Sequence, residues 1–158
     1  ANVLPFLHER WGVEPPQIGL TGISMGGQGA SRLAMKHPSK FPAVAAISAA
    51  IDYQNLFGQG TTLDEMYPDK EAIRQDTVLL HVHPLNWPRQ ILFVIDPADR
   101  AWLGGNQRLH EKLGALGIAH FHDFTTTAGG HSWEYFNHMA PRVIEFICKG
   151  LEAESRRI

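Results

Sequence analysis

The sequence predicts an α/β domain with a mostly parallel sheet and helices on both of its faces. Three observations predict it. Short, dense apolar runs recur along the chain, each of strand length; stretches with a 3.6-residue apolar period separate them; and the connections between runs are long enough to be crossovers.

Taken in order, Val3, Leu4, Phe6, Leu7 and Trp11 form the apolar face of an opening helix, which stops at Gly12 ahead of Pro15 and Pro16. Residues 17–21 read as a short strand running into Gly22-Ile23-Ser24-Met25-Gly26-Gly27. A helix over about 25–37 follows, ended by Pro38. Residues 43–48 and 90–96 are two further strands; the second contains Ile91-Leu92-Phe93-Val94-Ile95 and is apolar enough to be buried on both faces, as in a parallel sheet. A helix over 105–116 turns Leu109, Leu113 and Leu116 to one side and closes at Gly117. Residues 119–125 form a fourth strand, and 132–149 a closing helix with Phe136, Met139, Val143, Ile144 and Ile147 inward. The segment 51–89 is too long for an ordinary connection and is expected to pass over the functional site. No repeat, low-complexity tract or flexible linker divides the chain, so residues 1–158 are expected to form a single domain. The first residue is Ala, within a helix already under way, so that domain is expected to be incomplete, with its early strands missing.

Composition excludes several classes of function. With 44% hydrophobic residues, a net charge of −2 and no basic cluster, the chain lacks the footprint of a nucleic-acid or anionic-membrane binder. No apolar run approaches the roughly 18–20 residues of a membrane span. Cys148 is the sole cysteine, so no internal disulfide forms and the redox compartment stays open. The opening residues lack the pattern of a signal peptide, but a start already inside a helix leaves an earlier leader open, and localisation with it.

The chemistry centres on Gly22-x-Ser24-x-Gly26. A G-x-S-x-G match alone is a weak signal. Here it sits between a predicted strand and a predicted helix, where a serine held in a strained turn projects its hydroxyl above the sheet edge. Gly22 and Gly26 are expected to be sterically required in that turn, and Gly27, Gly29 and Ala30 to let the helix lie close on the sheet. The helix N-terminus favours a developing oxyanion, with the Met25 amide as one donor.

A serine hydroxyl needs a base, and the base a carboxylate; where such a strand–turn–helix serine resembles that of an α/β-hydrolase, the expected chain order is Ser, Asp or Glu, His. Asp99 follows the third strand, and His131 follows the fourth in Ala128-Gly129-Gly130-His131-Ser132-Trp133. Asp96 competes as the acid. Asp99 is favoured because it projects from the loop, whereas Asp96 before Pro97 is suited to organising the turn. Trp133, two residues from His131, is expected near the substrate. His81 with His83 and His120 with His122 have metal-ligand spacing on an extended strand. They lack a neighbouring carboxylate or thiolate, so they read as partly exposed strand residues and no metal is expected.

Gly22 to Ala30, His37-Pro38 through Phe41-Pro42, and His131-Ser132-Trp133-Glu134-Tyr135-Phe136 together resemble the esterase D and antigen-85 family of α/β-hydrolases, over nearly the whole chain. The resemblance implies Ser24, Asp99 and His131 as nucleophile, acid and base. It also implies hydrolysis of a small-molecule carboxylic ester or thioester through an acyl-enzyme, without a cofactor. Transfer of the acyl group to a sugar or other alcohol is the alternative within the same machinery. The family's acid loop is a little longer than Asp96-Pro97-Ala98-Asp99. The loop that supplies the family's second oxyanion amide is expected upstream of this chain. A third reading is therefore a non-catalytic fragment with half an oxyanion hole.

Overall fold

In the computed structural model, which describes residues 3–157, four strands lie side by side in sequence order and all run parallel. They are β1 (Gly19–Ile23), β2 (Ala43–Ile47), β3 (Gln90–Val94) and β4 (Phe121–Asp123). Their register brings Ile23, Ile47, Val94 and Asp123 into one row, so the loops that follow the four strands emerge along a single edge of the sheet. In a parallel sheet that edge is where ligand-handling residues gather.

Among the described residues there are six α-helices, α1 (Val3–Trp11), α2 (Met25–Lys36), α3 (Leu63–Met66), α4 (Lys70–Gln75), α5 (Leu103–Ala115) and α6 (Trp133–Ser155), and two short 3-10 turns, Tyr53–Leu56 and Val78–Leu80. Strand alternation sorts the core into two layers. Val44, Ala46, Ile91 and Phe93 pack with Met35 of α2 and with Leu109 and Leu113 of α5. Ala45, Ile47, Leu92 and Val94 pack with Tyr135, Phe136, Met139 and Val143 of α6. All five residues of β2 are buried, as the apolar runs predict for a strand covered on both faces. Among the described residues no helix is long and apolar enough to cross a membrane.

Several boundaries differ from the sequence reading, each for a local reason. A turn closed by the Gln17 amide donating to the Glu14 carbonyl delays β1 to Gly19. β4 covers three residues instead of seven because the Asp123 carboxylate accepts hydrogen bonds from the amides and hydroxyls of Thr125 and Thr126 and turns the chain there. Arg142 pairs with the same carboxylate. α6 continues to Ser155, its last turn anchored by the buried Glu154, which accepts from Arg89 at 2.8 Å. Ile144, expected inward, is 57% exposed, whereas Ile147 packs on the lower layer. α1 buries no side chain completely and touches the core through Leu4; Ala1 and Asn2 of the expected helix lie outside the described residues.

The 51–89 segment is an ordered insertion with its own small core of Ala50, Tyr53, Leu63 and Ile73. Asp76 fastens it to α2 by pairing with Arg32 and accepting from the Tyr67 hydroxyl at 2.7 Å. Gln28 of α2 also accepts from the Val78 amide at 3.2 Å. His81 and His83 fall in this segment on a turn and not on a strand. His120 lies just before β4 and His122 within it, both beside His110 of α5. His122 is exposed overall, yet partial desolvation of its imidazole first, and the neighbouring His110 and His120 second, hold it below the ordinary histidine pKa.

Two substitutions test the layering. Leu113→Ala opens a cavity between α5 and the sheet and is expected to cost about 2–5 kcal/mol. Ile144→Ala on the exposed face of α6 is expected to stay within about 0.5 kcal/mol. Urea unfolding of both variants measures the contrast.

Candidate active site

Ser24 is the one-residue joint between β1 and α2, with φ 53° and ψ −120°. A non-glycine residue in that region is strained by about 1–2 kcal/mol, so its surroundings must hold it there. They do so through the backbone: the Ser24 amide donates to the Ile47 carbonyl at 3.0 Å, and its own carbonyl accepts from Gln28 and Ala50 at 3.1 and 3.0 Å. A Cβ on Gly22 would stand 2.2 Å from the Gly26 carbonyl oxygen, so glycine is required at position 22. The expectation fails for Gly26 and Gly29, where an added Cβ meets nothing within 4 Å. Gly27 is the close contact of the helix with the sheet, since its Cβ would come 3.0 Å from the Gly22 carbonyl oxygen of β1 and 3.2 Å from Ala49 in the loop after β2.

The loops after β3 and β4 bring the other two residues to this joint. His131 Nε2 lies 3.1 Å from Ser24 Oγ, and His131 Nδ1 lies 2.6 Å from Asp99 Oδ2. A carboxylate only accepts, so Nδ1 carries the hydrogen, and Nε2 presents its lone pair to the serine hydroxyl. The Asp99 side chain is 1% exposed and that of His131 34%, an arrangement in which the carboxylate is shielded and the imidazole edge is open to a ligand. The Asp99 carboxylate also accepts from the Trp102 amide at 3.4 Å.

Asp96 is fully buried and does a different task. Its carboxylate accepts from the Ala98 amide at 2.7 Å, the Ala128 amide at 2.7 Å and the Gly130 amide at 2.8 Å, joining the loop after β3 to the turn before His131. Burial opposes the charged form, yet the amides of Ala128, Ala98 and Gly130 together hold the Asp96 carboxyl below the usual carboxylate range. Gly129 and Gly130 both adopt positive φ, 90° and 70°, to form that turn. Ser132 then caps α6 by accepting from the Tyr135 amide at 3.4 Å.

Met25 opens α2 beside Ser24, and the first amides of a helix have no intrahelical acceptor. Met25 also lines a cavity of about 310 Å³ between α2 and the insertion, with Leu56, Leu63 and Met66 as apolar walls and Arg32 and Tyr67 as polar ones. Trp133 is 71% exposed on the first turn of α6, packed edge-on against Phe136, and does not line that cavity. Phe136, counted from sequence only as core, supports the His131 ring edge-on at a centroid distance of 5.1 Å. Asn106 escaped the sequence reading altogether: fully buried in α5, it donates to the Ala49 and Trp102 carbonyls at 2.8 and 2.9 Å. No motif surrounds Asn106 to signal it.

A family model described as "Putative esterase" matches residues 1–144. Comparison with the curated proteins found no match. Among solved structures, the chain is similar to a ferulic acid esterase at 18% identity and a TM-score of 0.77, covering 96% of this chain and 59% of that one. It is similar to an S-formylglutathione hydrolase from Agrobacterium tumefaciens at 18% identity and TM-score 0.74, covering 95% and 55%. It is also similar to the capsule O-acetyltransferase of Neisseria meningitidis serogroup A at 16% identity and TM-score 0.71, covering 92% and 61%. The chain therefore spans less than two thirds of the length of each of these. At such identities the likeness speaks for the fold, that of the α/β-hydrolases.

Two experiments follow from the geometry. Gly22→Ala drives a side chain into backbone and is expected to abolish the ordered fold or lower its unfolding midpoint sharply, whereas Gly26→Ala in the first turn of α2 is expected to be neutral or slightly stabilising; circular dichroism and urea melts separate them. Asp96→Asn turns an amide NH2 toward N–H groups that need acceptors and is expected to cost about 1–3 kcal/mol at pH 7. Because the folded pKa of Asp96 is depressed, its contribution is present above the unfolded value of about 3.9 and lost as pH falls through the folded value. The loss of stability between neutral and acid pH should accordingly be smaller in Asp96→Asn than in the parent.

Proposed function

Because the chain belongs to the esterase family whose model covers residues 1–144, we propose that it carries the acyl-transfer chemistry of a serine carboxylic-ester hydrolase, with Ser24, His131 and Asp99 as its triad. The observation that carries this reading is the continuous relay from Ser24 Oγ through His131 to Asp99, with separations of 3.1 and 2.6 Å.

In the first half-reaction Ser24 Oγ attacks the ester carbonyl carbon while His131 Nε2 takes the hydroxyl proton. Asp99 holds the resulting imidazolium through Nδ1–H without itself becoming protonated. The carbonyl oxygen gains negative charge next to the first turn of α2, where the Met25 amide donates to it and the helix dipole favours it. Collapse of the tetrahedral species breaks the bond to the alcohol, and His131 returns the proton to that leaving oxygen. In the second half-reaction water repeats the sequence on the acyl-enzyme and releases the acid. Oxygen and proton counts balance with no cofactor. The cavity beside Met25, apolar with Arg32 and Tyr67 at its wall, is the proposed seat for one side of the ester.

Likeness to an O-acetyltransferase supports a second reading, in which an alcohol replaces water in the second half-reaction. The relay is the same, and only the acceptor differs.

A fluorophosphonate probe is expected to label the folded chain at Ser24, read by mass spectrometry of the modified peptide. Labelling should vanish in Ser24→Ala, and fall by about 10⁴-fold in rate in Asp99→Asn, where the imidazole takes the wrong tautomer. Labelling elsewhere, none on the folded chain, or hydrolysis of aryl esters undiminished in Ser24→Ala would overturn the reading. The ratio of acid to transferred ester in the presence of an added alcohol decides between hydrolysis and transfer.

A further inference from the structure

His110, His120 and His122 come together on the side of β4 covered by α5, each with a ring nitrogen within 4.8 Å of the others. No function described above uses them. Two come from the β4 segment and one from a helix ten residues earlier in sequence, so tertiary packing alone assembles them. His110 and His122 have ring centroids 4.0 Å apart, and His110 Nδ1 is 2.8 Å from His120 Nε2.

The hydrogen-bond pattern sets the tautomer. His120 Nδ1 lies 2.7 Å from the Ile118 carbonyl oxygen, which can only accept, so Nδ1 carries the hydrogen. Nε2 of His120 is then a bare lone pair, pointed at the nitrogen of His110. Orientation of one ring nitrogen by a backbone carbonyl is the outer-shell device that prepares the other for a metal. Phe93 stacks on the His120 ring at 5.4 Å and Phe124 flanks His122 at 4.9 Å, giving the cluster an apolar floor. Asp123, the adjacent carboxylate, is engaged with Thr125, Thr126 and Arg142, so the donor set is nitrogen alone.

We infer that His110, His120 and His122 form a binding site for one borderline divalent transition-metal ion, Zn²⁺ foremost, that clamps α5 to β4. Three imidazoles with no oxygen donor suit Zn²⁺, Co²⁺, Ni²⁺ or Cu²⁺ and do not suit Mg²⁺ or Ca²⁺. Zn–N bonds of about 2.0–2.1 Å in a tetrahedron place ligand nitrogens about 3.3 Å apart, so the close pair opens slightly and the wider separations close. His122, exposed at the strand edge, is free to make that adjustment. Binding requires the hydrogen on His110 Nδ1 to move to its Nε2 through solvent, so three neutral imidazoles ligate with no net proton release. The fourth position faces solvent and takes water.

The test uses the full 158-residue chain, stripped with a chelator and titrated with Zn²⁺ by calorimetry and with Co²⁺ by visible absorption. One ion per chain is expected, with the intense Co²⁺ absorption of a four-coordinate site. Saturating Zn²⁺ should raise Tm by about 5 °C. His122→Ala and His110→Gln should each weaken binding by at least the ~10–100-fold that loss of an outer-shell partner costs. His138→Ala, an exposed histidine outside the cluster, should leave it unchanged. No stoichiometric binding, undiminished binding in His122→Ala, or an equal loss in His138→Ala would overturn the proposal. Circular dichroism checks each variant; His122 is exposed, so His122→Ala decides the matter even if His110→Gln unfolds. Ser24→Ala should bind the ion as the parent does, which separates this result from the esterase reading.

Discussion

Asp96 accepts amide hydrogens from both sides of the gap between the loop after β3 and the turn after β4, two segments more than thirty residues apart. Everything the site does with Asp99 and His131 depends on those two segments keeping their distance. A buried carboxylate suits that position because it is acceptor-only, with room for several donors, and the three N–H groups would otherwise be orphaned near the core. Desolvating the charge is costly, and the amide dipoles offset it. The chain thus places two aspartates three residues apart in opposite situations: Asp96 is consumed by backbone, while Asp99 keeps an oxygen for the imidazole.

Ser24 is fixed by a comparable logic on the other side of the site. Its strained φ survives because both of its own polar backbone atoms are used, with Ile47 on the neighbouring strand, Gln28 in the helix and Ala50 in the next loop as partners. Ser48, at the end of β2, also lies at positive φ, 47°, and its amide donates to Val94 of β3 at 2.8 Å. Two adjacent strands are therefore each followed by a serine at positive φ, and the bond from the Ala50 amide to the Ser24 carbonyl ties the two turns together. The small residues around them, Gly22, Gly27 and Ala49, are what allow α2 to sit this near the sheet.

Sequence alone carried a good part of this. Strand-sized apolar runs and helical periods are local signals, so the order of elements and the parallel sheet were legible, as was the spacing of Ser24, Asp99 and His131 along the chain. What sequence could not convey was three-dimensional. It favoured Asp99 over Asp96 by reach alone, because the choice turns on which carboxylate meets the turn at Gly130. It overstated Gly26, because a motif does not say which glycine faces backbone and which faces solvent. It put Ile144 inside, because a 3.6-residue stripe does not fix how wide a buried face is. It read His120 and His122 as a pair of partly exposed strand residues, because their third neighbour, His110, sits on a helix whose placement only packing determines.

α5 links these regions. It begins just beyond Asp99, whose carbonyl accepts from the Leu103 amide at 3.0 Å, and Asn106 in its second turn holds the loop after β2. Gly105 permits that approach, since a Cβ there would come 2.8 Å from the Asp52 carboxylate. His110 lies seven residues beyond Leu103, about 10 Å along the helix axis, with Leu109 and Leu113 buried on either side of it. Those two leucines and Asn106 already fix the helix before any ion arrives. An ion held by His110, His120 and His122 would therefore add to the stability of the α5–β4 contact without redirecting Asp99. The position of Asp99 is set at the helix start by Trp102, Leu103 and the Asp96 network, so metal binding and the proposed ester chemistry should be separable properties.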